Sequence, residues 1–155
     1  MQRVLCLAGI LACLLAASAS AHEHKAPHGG TLVELGEEFA HLEISLDAKT
    51  GELTAYVLDG EAENPIRLTD KSIDLSIENI APKNAAKQPL AIALNAVASA
   101  LTGEKVGDTS EFSATVEALK GATGFDATIA KLTIKGKTFE MVKFNFPKGN
   151  EDEHK

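Results

Sequence analysis

The sequence has few of the residues that covalent cross-links, aromatic platforms or nucleic-acid surfaces require. It contains two cysteines, both within the first 13 residues, one tyrosine and no tryptophan. Basic residues are the minority, with 15 Lys and Arg against 22 Asp and Glu. Counterion release on nucleic acid needs a basic stripe, and no window of the chain supplies one. We therefore expect no nucleic-acid partner.

The longest apolar run lies at the start of the chain. A basic start, Met1 to Arg3, precedes an apolar run from Val4 to Ala17, and Ala19 to Ala21 is a small-x-small cleavage site. This pattern predicts a signal peptide over residues 1–21, because a membrane-spanning helix needs about 20 apolar residues. The mature chain would then lack cysteine, have a net charge of about −8 and contain no membrane span. We expect it in the periplasm or secreted.

From residue 31 onward, apolar and polar side chains alternate, which is the pattern of half-buried strands. Residues 39–58 predict a β-hairpin, because alternating segments flank the turn sequence Asp47 to Gly51. Residues 72–80 predict a further strand. For residues 89–100, isoleucine, valine and the neighbouring strands favour a strand over a helix.

The last third of the chain predicts a second hairpin. Residues 110–119 match both helical and strand spacing, and we expect a strand followed by a short turn of helix. The alternation that starts at Phe125 slips in phase, which predicts a β-bulge near Ala130, and the hairpin closes at Lys135 to Lys137. About seven to nine short strands indicate an all-β domain, which we predict to be a single antiparallel, immunoglobulin-like β-sandwich over residues 31–147.

The segments on either side of this domain lack an apolar period. Residues 22–30 hold three of the five histidines and end in Gly29 and Gly30, so they predict a flexible N-terminal arm. Residues 148–155 form an acidic C-terminal tail. Its run from Glu151 to His154 could supply metal ligands by folding back, but we expect it to stay solvated.

Histidines near the predicted new terminus are the first candidate metal ligands. After cleavage at Ala21, the His22 amine, two deprotonated amides and the His24 imidazole could form a square-planar site, which selects Cu(II) or Ni(II). Alternatively, the His22 amine and ring could chelate copper with a third nitrogen from His24, His28 or His41. The two arrangements share one amine and therefore exclude each other.

A third arrangement uses side chains alone. His28, His41 and a carboxylate such as Glu43 could hold Zn(II) tetrahedrally, with water in the open position. His41 and Glu43 are two residues apart on one predicted strand, so they project from the same face with Cα atoms roughly 7 Å apart. The alternative is that both side chains only line a wet strand face.

Signatures of common enzyme classes are missing. The chain has no Gly-x-Ser-x-Gly elbow and no His-Glu-x-x-His helix, and the mature part lacks a cysteine nucleophile. An oxidative copper enzyme built on the His22 chelate would need a substrate platform, for which Tyr56 alone offers little. We predict a monomeric protein that is not an enzyme.

Part of the sequence resembles a His-Gly-Gly β module of small exported bacterial proteins. The residues that carry the resemblance are Pro27 to Gly30, Glu38 to Glu43 and Gly51 to Asp59. They are similar to the N-terminal region of periplasmic adaptor subunits of cobalt-zinc-cadmium-type heavy-metal efflux systems. The resemblance implies metal handling in the periplasm, with His28, His41 and Glu43 at the matching positions. These 155 residues show no long coiled-coil hairpin, so we do not expect the chain to bridge a pump to an outer-membrane channel.

These observations predict a carrier or buffer of a divalent transition metal, which is copper, nickel or zinc. The candidate ligands are His22, His24, His28, His41 and Glu43. A periplasmic efflux or envelope protein is the expected partner. The alternative function is a structural or adaptor β-sandwich module that docks an envelope protein, with the histidines incidental to its role.

Overall fold

The computed structural model describes residues 24–82 and 88–150, and the fold of these residues is all-β. The strands are β1 (Thr31–Leu35), β2 (Ala40–Asp47), β3 (Glu52–Asp59), β4 (Ser72–Ala81), β5 (Leu90–Ala96), β6 (Glu111–Thr115), β7 (Gly124–Ile134) and β8 (Lys137–Phe146). A 3-10 turn, η1 (Glu117–Leu119), follows β6. None of the described helices is long and apolar enough to cross a membrane. The predicted signal peptide, His22 and the run from Glu151 to His154 lie outside the described residues.

The first predicted hairpin is confirmed as β2 and β3, which pair from Ala40 with Asp59 to Asp47 with Glu52. The Asp47 side chain accepts the Lys49 N–H at 2.8 Å, as expected of an aspartate that starts a turn. The strand predicted within residues 89–100 is β5, and the segment 110–119 is a strand followed by a short helical turn, as expected.

The second hairpin is also confirmed, with Lys135 and Gly136 both at positive φ in a tight turn between β7 and β8. The alternation of buried side chains along β7 slips in phase as predicted, since Ile129 and Leu132, three residues apart, are both buried. The register is nevertheless unchanged across this point, because Met141 on β8 makes the matching irregularity with a φ of 54°. The register shift lies instead between β4 and β7, between Glu78 and Ala81.

The strands form one antiparallel sheet in the order β1-β2-β3-β6-β5-β4-β7-β8. The sheet is nearly closed on itself, so the fold is barrel-like rather than a clear sandwich, and an immunoglobulin-like arrangement is not confirmed. Alternation reveals only that one face of each strand is buried, which a barrel and a sandwich share. The difference lies in the short β5–β6 pairing, Asn95 with Ser113 and Ala96 with Phe112, which joins the two halves into one sheet.

The barrel interior is filled by the inward side chains of all eight strands. Its largest fully buried side chains include Leu42, Ile44, Leu53, Ile77, Phe112, Phe125 and Ile129. The seam between β1 and β8 is closed by the turn after β8. There the Asn150 side chain accepts the Glu34 N–H at 2.8 Å and donates to the Glu34 carbonyl at 3.0 Å. The segment predicted as an acidic tail therefore begins as a packed turn.

Residues 24–30 of the predicted flexible arm lie against the outer face of β2. As a result, every residue from Ala40 to Ile44 is buried. His41 and Glu43, expected on a wet face, are 2% and 0% exposed. Alternation marks the outer face of a strand as polar, but it carries no information about a distant segment that covers it.

Candidate functional site on strand β2

Glu43 lies at the centre of the contact between the arm and β2. Its Oε1 accepts the backbone N–H groups of His28 and Gly30, each at 2.8 Å. Its Oε2 lies 2.7 Å from Nδ1 of His28. A buried carboxylate is costly unless it is hydrogen-bonded, and these three donors satisfy it. Glu43 therefore fixes the position of the arm.

The His-Gly-Gly sequence is explained by the geometry of this contact. Gly29 has a φ of 74° and donates its N–H to the Ala26 carbonyl at 3.1 Å, so it closes a turn that favours glycine. A Cβ on Gly30 would lie 2.6 Å from the Ile44 carbonyl oxygen and 2.9 Å from Cγ of Glu43. The predicted hinge is thus a tight turn that presses the backbone onto β2.

The His28 ring rests on Tyr56, with ring centroids 3.8 Å apart and an interplanar angle of 13°. Tyr56 lies in a row across the outer face of the sheet, paired with Glu43 on one side and Glu111 on the other. Burial raises the pKa of Tyr56, and the negative charge of Glu111 raises it further. His28 itself is half exposed, with 46% of its side chain accessible.

His24 of the arm and His41 of β2 form a second pair of side chains. Their ring centroids lie 5.0 Å apart at an interplanar angle of 55°. His41 Nδ1 lies 3.3 Å from the Asp59 carbonyl oxygen. A proton on Nδ1 would be donated to that oxygen and would leave a lone pair on Nε2. His41 is therefore held in an orientation and tautomer suited to binding through Nε2.

The partner imidazole carries a buried nitrogen that the described residues do not satisfy. Nε2 of His24 is buried and has no hydrogen-bond partner within ranges 24–82 and 88–150. Glu38 Oε1 lies 3.5 Å from this nitrogen, and the His24 side chain is 11% exposed. Leaving a buried polar group unpaired costs about 1–3 kcal/mol. A ligand at Nε2 would remove this penalty.

Glu38 is brought to this pair by a strained turn between β1 and β2. Glu37 and Glu38 have φ values of 55° and 59°, a conformation that ordinary side chains rarely adopt. The Glu38 N–H is held by Oε1 of Glu34 at 2.9 Å. Strained backbone of this kind tends to cluster at functional sites. The turn places a carboxylate beside a buried imidazole.

The separation of the two rings suits a shared metal ion. Two imidazoles that bind one ion at about 2.0–2.1 Å with a tetrahedral angle between them have ring centroids roughly 5 Å apart. Across the described part of the chain, however, no group of three or more His, Cys, Asp or Glu side chains is arranged to hold a metal ion. The residues in place are two imidazoles and a nearby carboxylate.

The structure divides the predicted ligands into two pairs. His28 contacts Glu43, whereas His41 contacts His24, so the predicted set of His28, His41 and Glu43 is not assembled as one unit. Both carboxylate oxygens of Glu43 are engaged with the arm. His41 and Glu43 do project from the same face, as predicted. The two arrangements built on the His22 amine lie outside the described residues.

Sequence reasoning did not single out Glu38, Asp59 or Glu111. Glu38 is placed by the turn between β1 and β2, whereas Asp59 is placed near His41 by the register of β2 and β3, in which it pairs with Ala40. Glu111 is brought beside Tyr56 by the pairing of β3 with β6, which are more than 50 residues apart in the chain. Alternation within one strand contains no signal for that pairing.

A cleft of about 320 Å³ lies next to the His28–Tyr56 stack and is also lined by Arg67, Glu104 and Glu111. Burial alone would raise the pKa of Glu104, but hydrogen bonds from Ser110 and from Thr102 outweigh it and leave the pKa below its usual value. Glu111 differs, because burial raises its pKa and the negative charge of Glu104 adds to the increase. The cleft therefore holds two carboxylates whose pKa values are shifted in opposite directions.

Comparison with known proteins finds no matching family model, no similar curated protein and no similar solved structure. The resemblance to efflux adaptors therefore stays a prediction.

Proposed function

We propose that the protein is an exported carrier or buffer of a divalent transition metal, copper, nickel or zinc, which it binds between His24 and His41. The observation that carries this proposal is the buried Nε2 of His24, which makes no hydrogen bond within the described residues and lies beside a second imidazole. The second imidazole, His41, is oriented by a backbone carbonyl at its Nδ1. Metal-binding histidines almost always have such an outer contact, because it fixes their tautomer.

The two imidazoles come from different segments, His24 from the arm and His41 from β2. Binding to both would pin the arm more tightly to the barrel. Glu38 supplies a carboxylate within reach of His24, and water or the His22 nitrogens would complete the coordination. An ion that binds only the folded state adds about 2.7 kcal/mol of stability at a concentration 100-fold above its Kd. Imidazole binds metal only when deprotonated, so affinity should fall in acid.

Export is the second part of the proposal. It is supported by the signal-peptide pattern of residues 1–21. Mass spectrometry of the protein recovered from the periplasm or medium should give a chain that starts at His22. A chain that still starts at Met1 and stays in the cytoplasm would contradict export.

The binding site is tested by calorimetric titration of Zn(II), Cu(II) and Ni(II) into the 22–155 chain and two variants. His24→Gln removes one ligand, and His41→Asn removes the other while its amide can still donate to the Asp59 carbonyl. We expect each to weaken binding at least about tenfold, by analogy with the loss of groups that support metal ligands. His154→Gln, which also removes one histidine, is the matched control and should leave binding unchanged.

One observation favours the alternative function, a docking module for an envelope protein. Leu101 is 99% exposed and Val106 is 57% exposed. Leu101 lies in a turn closed by paired backbone hydrogen bonds between Ser99 and Glu104, and Val106 lies in the next turn, closed in the same way by Lys105 and Asp108. Chemical cross-linking in cells should then give a complex that is lost in Leu101→Asp but insensitive to chelator. A complex that chelator dissolves would favour metal-dependent recognition instead.

A further inference from the structure

We propose that His28 and Glu111 form a second, exchangeable metal site at the mouth of the cleft beside β3 and β6. It would take a divalent transition metal such as Zn(II) or Cu(II). The inference rests on the proposed function, since it extends metal binding from the buried pair of His24 and His41 to an accessible position on the same arm.

The orientation of the His28 ring is fixed by Glu43. Its Nδ1 lies 2.7 Å from Oε2 of Glu43, a carboxylate with no solvent exposure. The proton of the neutral ring therefore belongs on Nδ1, and the lone pair belongs on Nε2. A carboxylate, an imidazole and a metal in this order form a common arrangement, in which the carboxylate fixes the ring and raises its basicity.

The direction of the free nitrogen of His28, Nε2, follows from the stacking of its ring on Tyr56. The His28 ring is nearly parallel to the Tyr56 ring, and Tyr56 stands in register between Glu43 and Glu111. Since Nδ1 is taken by Glu43 on one side of Tyr56, Nε2 lies toward the other side, where Glu111 is. Neighbouring strands are about 4.8 Å apart, which brings the Glu111 side chain within reach of an ion on His28.

The Glu111 carboxylate is available to bind an ion. It has no hydrogen bond or ion pair within the part of the chain that the structure describes. Glu104 lines the same cleft and places a second carboxylate near Glu111. Arg67, which lines the same cleft, is directed instead at the Thr102 carbonyl at 2.6 Å and at Asp108 at 3.3 Å. A cation at His28 would compensate the charge of Glu111.

The exposure of His28 explains why such a site would exchange metal. Almost half of its side chain is accessible, whereas the His24 side chain is 11% exposed. Two protein ligands leave several coordination positions to water, from which an incoming donor can take the ion. The arm would then carry an accessible site at His28 and a buried site at His24.

The test uses the 22–155 chain, titrated with Zn(II) while the ring proton resonances of each histidine are followed by NMR. We expect the His28 resonances to shift, with an apparent Kd weaker than that seen at His24 and His41. In Glu111→Gln the His28 response should weaken at least about tenfold, while the response of His24 and His41 stays the same. The variant keeps the arm intact, because Glu43 is unchanged.

Glu52→Gln is the matched control, since Glu52 lies on the same sheet face and its charge also acts on Glu111. We expect its His28 response to stay within about twofold of the unsubstituted chain. A His28 ring that does not respond to Zn(II), or an equal effect of Glu111→Gln and Glu52→Gln, would overturn this inference. If the resonances of His24 and His41 do not respond to Zn(II), the proposed function is overturned instead, so the two failures are distinguishable.

Discussion

Glu43 binds His28 twice, through the backbone N–H at 2.8 Å and through ring nitrogen Nδ1 at 2.7 Å. The two residues are 15 positions apart, and the contact brings the histidine-bearing arm onto β2. Because Glu43 also accepts the Gly30 N–H, one buried carboxylate organises the whole turn. The position of the arm on β2 therefore depends on this contact.

Replacement of Glu43 should detach the arm. In Glu43→Leu the donors of His28 and Gly30 would lose their acceptor, and an unpaired buried group costs about 1–3 kcal/mol. We expect a loss of roughly 2–4 kcal/mol in the free energy of unfolding, measured by urea denaturation. Glu52→Leu, on an exposed position of the neighbouring strand, is the control. Equal effects of the two substitutions would contradict the role of Glu43.

Gly30 should tolerate no side chain. The Cβ of Gly30→Ala would lie 2.6 Å from the Ile44 carbonyl oxygen, so the arm or β2 must shift. We expect a destabilisation of about 1–3 kcal/mol, the usual cost of overpacking. Gly103→Ala is the comparison, because its Cβ would meet nothing within 4 Å and only its φ of 70° is unfavourable. Gly30→Ala should also weaken Zn(II) binding, whereas Gly103→Ala should not.

Asn150 should be required to close the barrel. Its side chain pairs with both the N–H and the carbonyl of Glu34, in place of a neighbouring strand. Asn150→Ala leaves both groups unpaired and should cost about 2 kcal/mol of unfolding free energy. Asn150→Asp keeps the acceptor and loses the donor, so we expect an intermediate effect. Asn95→Ala, at an exposed position of β5, should change the thermal midpoint little.

Glu111 should destabilise the folded protein at neutral pH. Its pKa in the folded state is raised above the unfolded value, so the folded state binds more protons and stability falls as pH rises through the raised pKa. Glu111→Gln should therefore raise the melting temperature at pH 7 in the absence of metal. At about pH 2–3, where the carboxyl is protonated in both states, the difference should vanish. A lower melting temperature at pH 7 would refute this assignment.

Local pattern was sufficient for the strands but not for their closure into a barrel. The alternation of Leu42 and Ile44, followed by the turn at Asp47, predicts the first hairpin correctly because register is a local property. The joining of β5 to β6 through Asn95 and Ser113 is a long-range pairing that leaves no trace in either strand. The all-β, antiparallel part of the prediction is confirmed, whereas the sandwich is not confirmed because of that pairing.

The candidate site, too, was predicted only in part from the sequence. The sequence identified His24, His28, His41 and Glu43 as candidate metal ligands and placed His41 and Glu43 on one face of a strand. It could not show that Glu43 serves the turn of the arm, because the evidence for that role is the close approach of Gly30 to β2. Since His28 contacts Glu43, the histidine of the arm that contacts His41 is His24.

The most direct test of metal binding at the imidazole pair compares chains that differ at the amino terminus. Zn(II) and Cu(II) are titrated into the 22–155 chain, the same chain with one extra residue before His22, and the extended chain carrying His24→Gln. If the ion lies between His24 and His41, binding should be tighter than to free histidine, should survive the extension within about twofold and should weaken at least about tenfold in His24→Gln. Binding that the extension abolishes, or that His24→Gln leaves unchanged, would contradict this prediction.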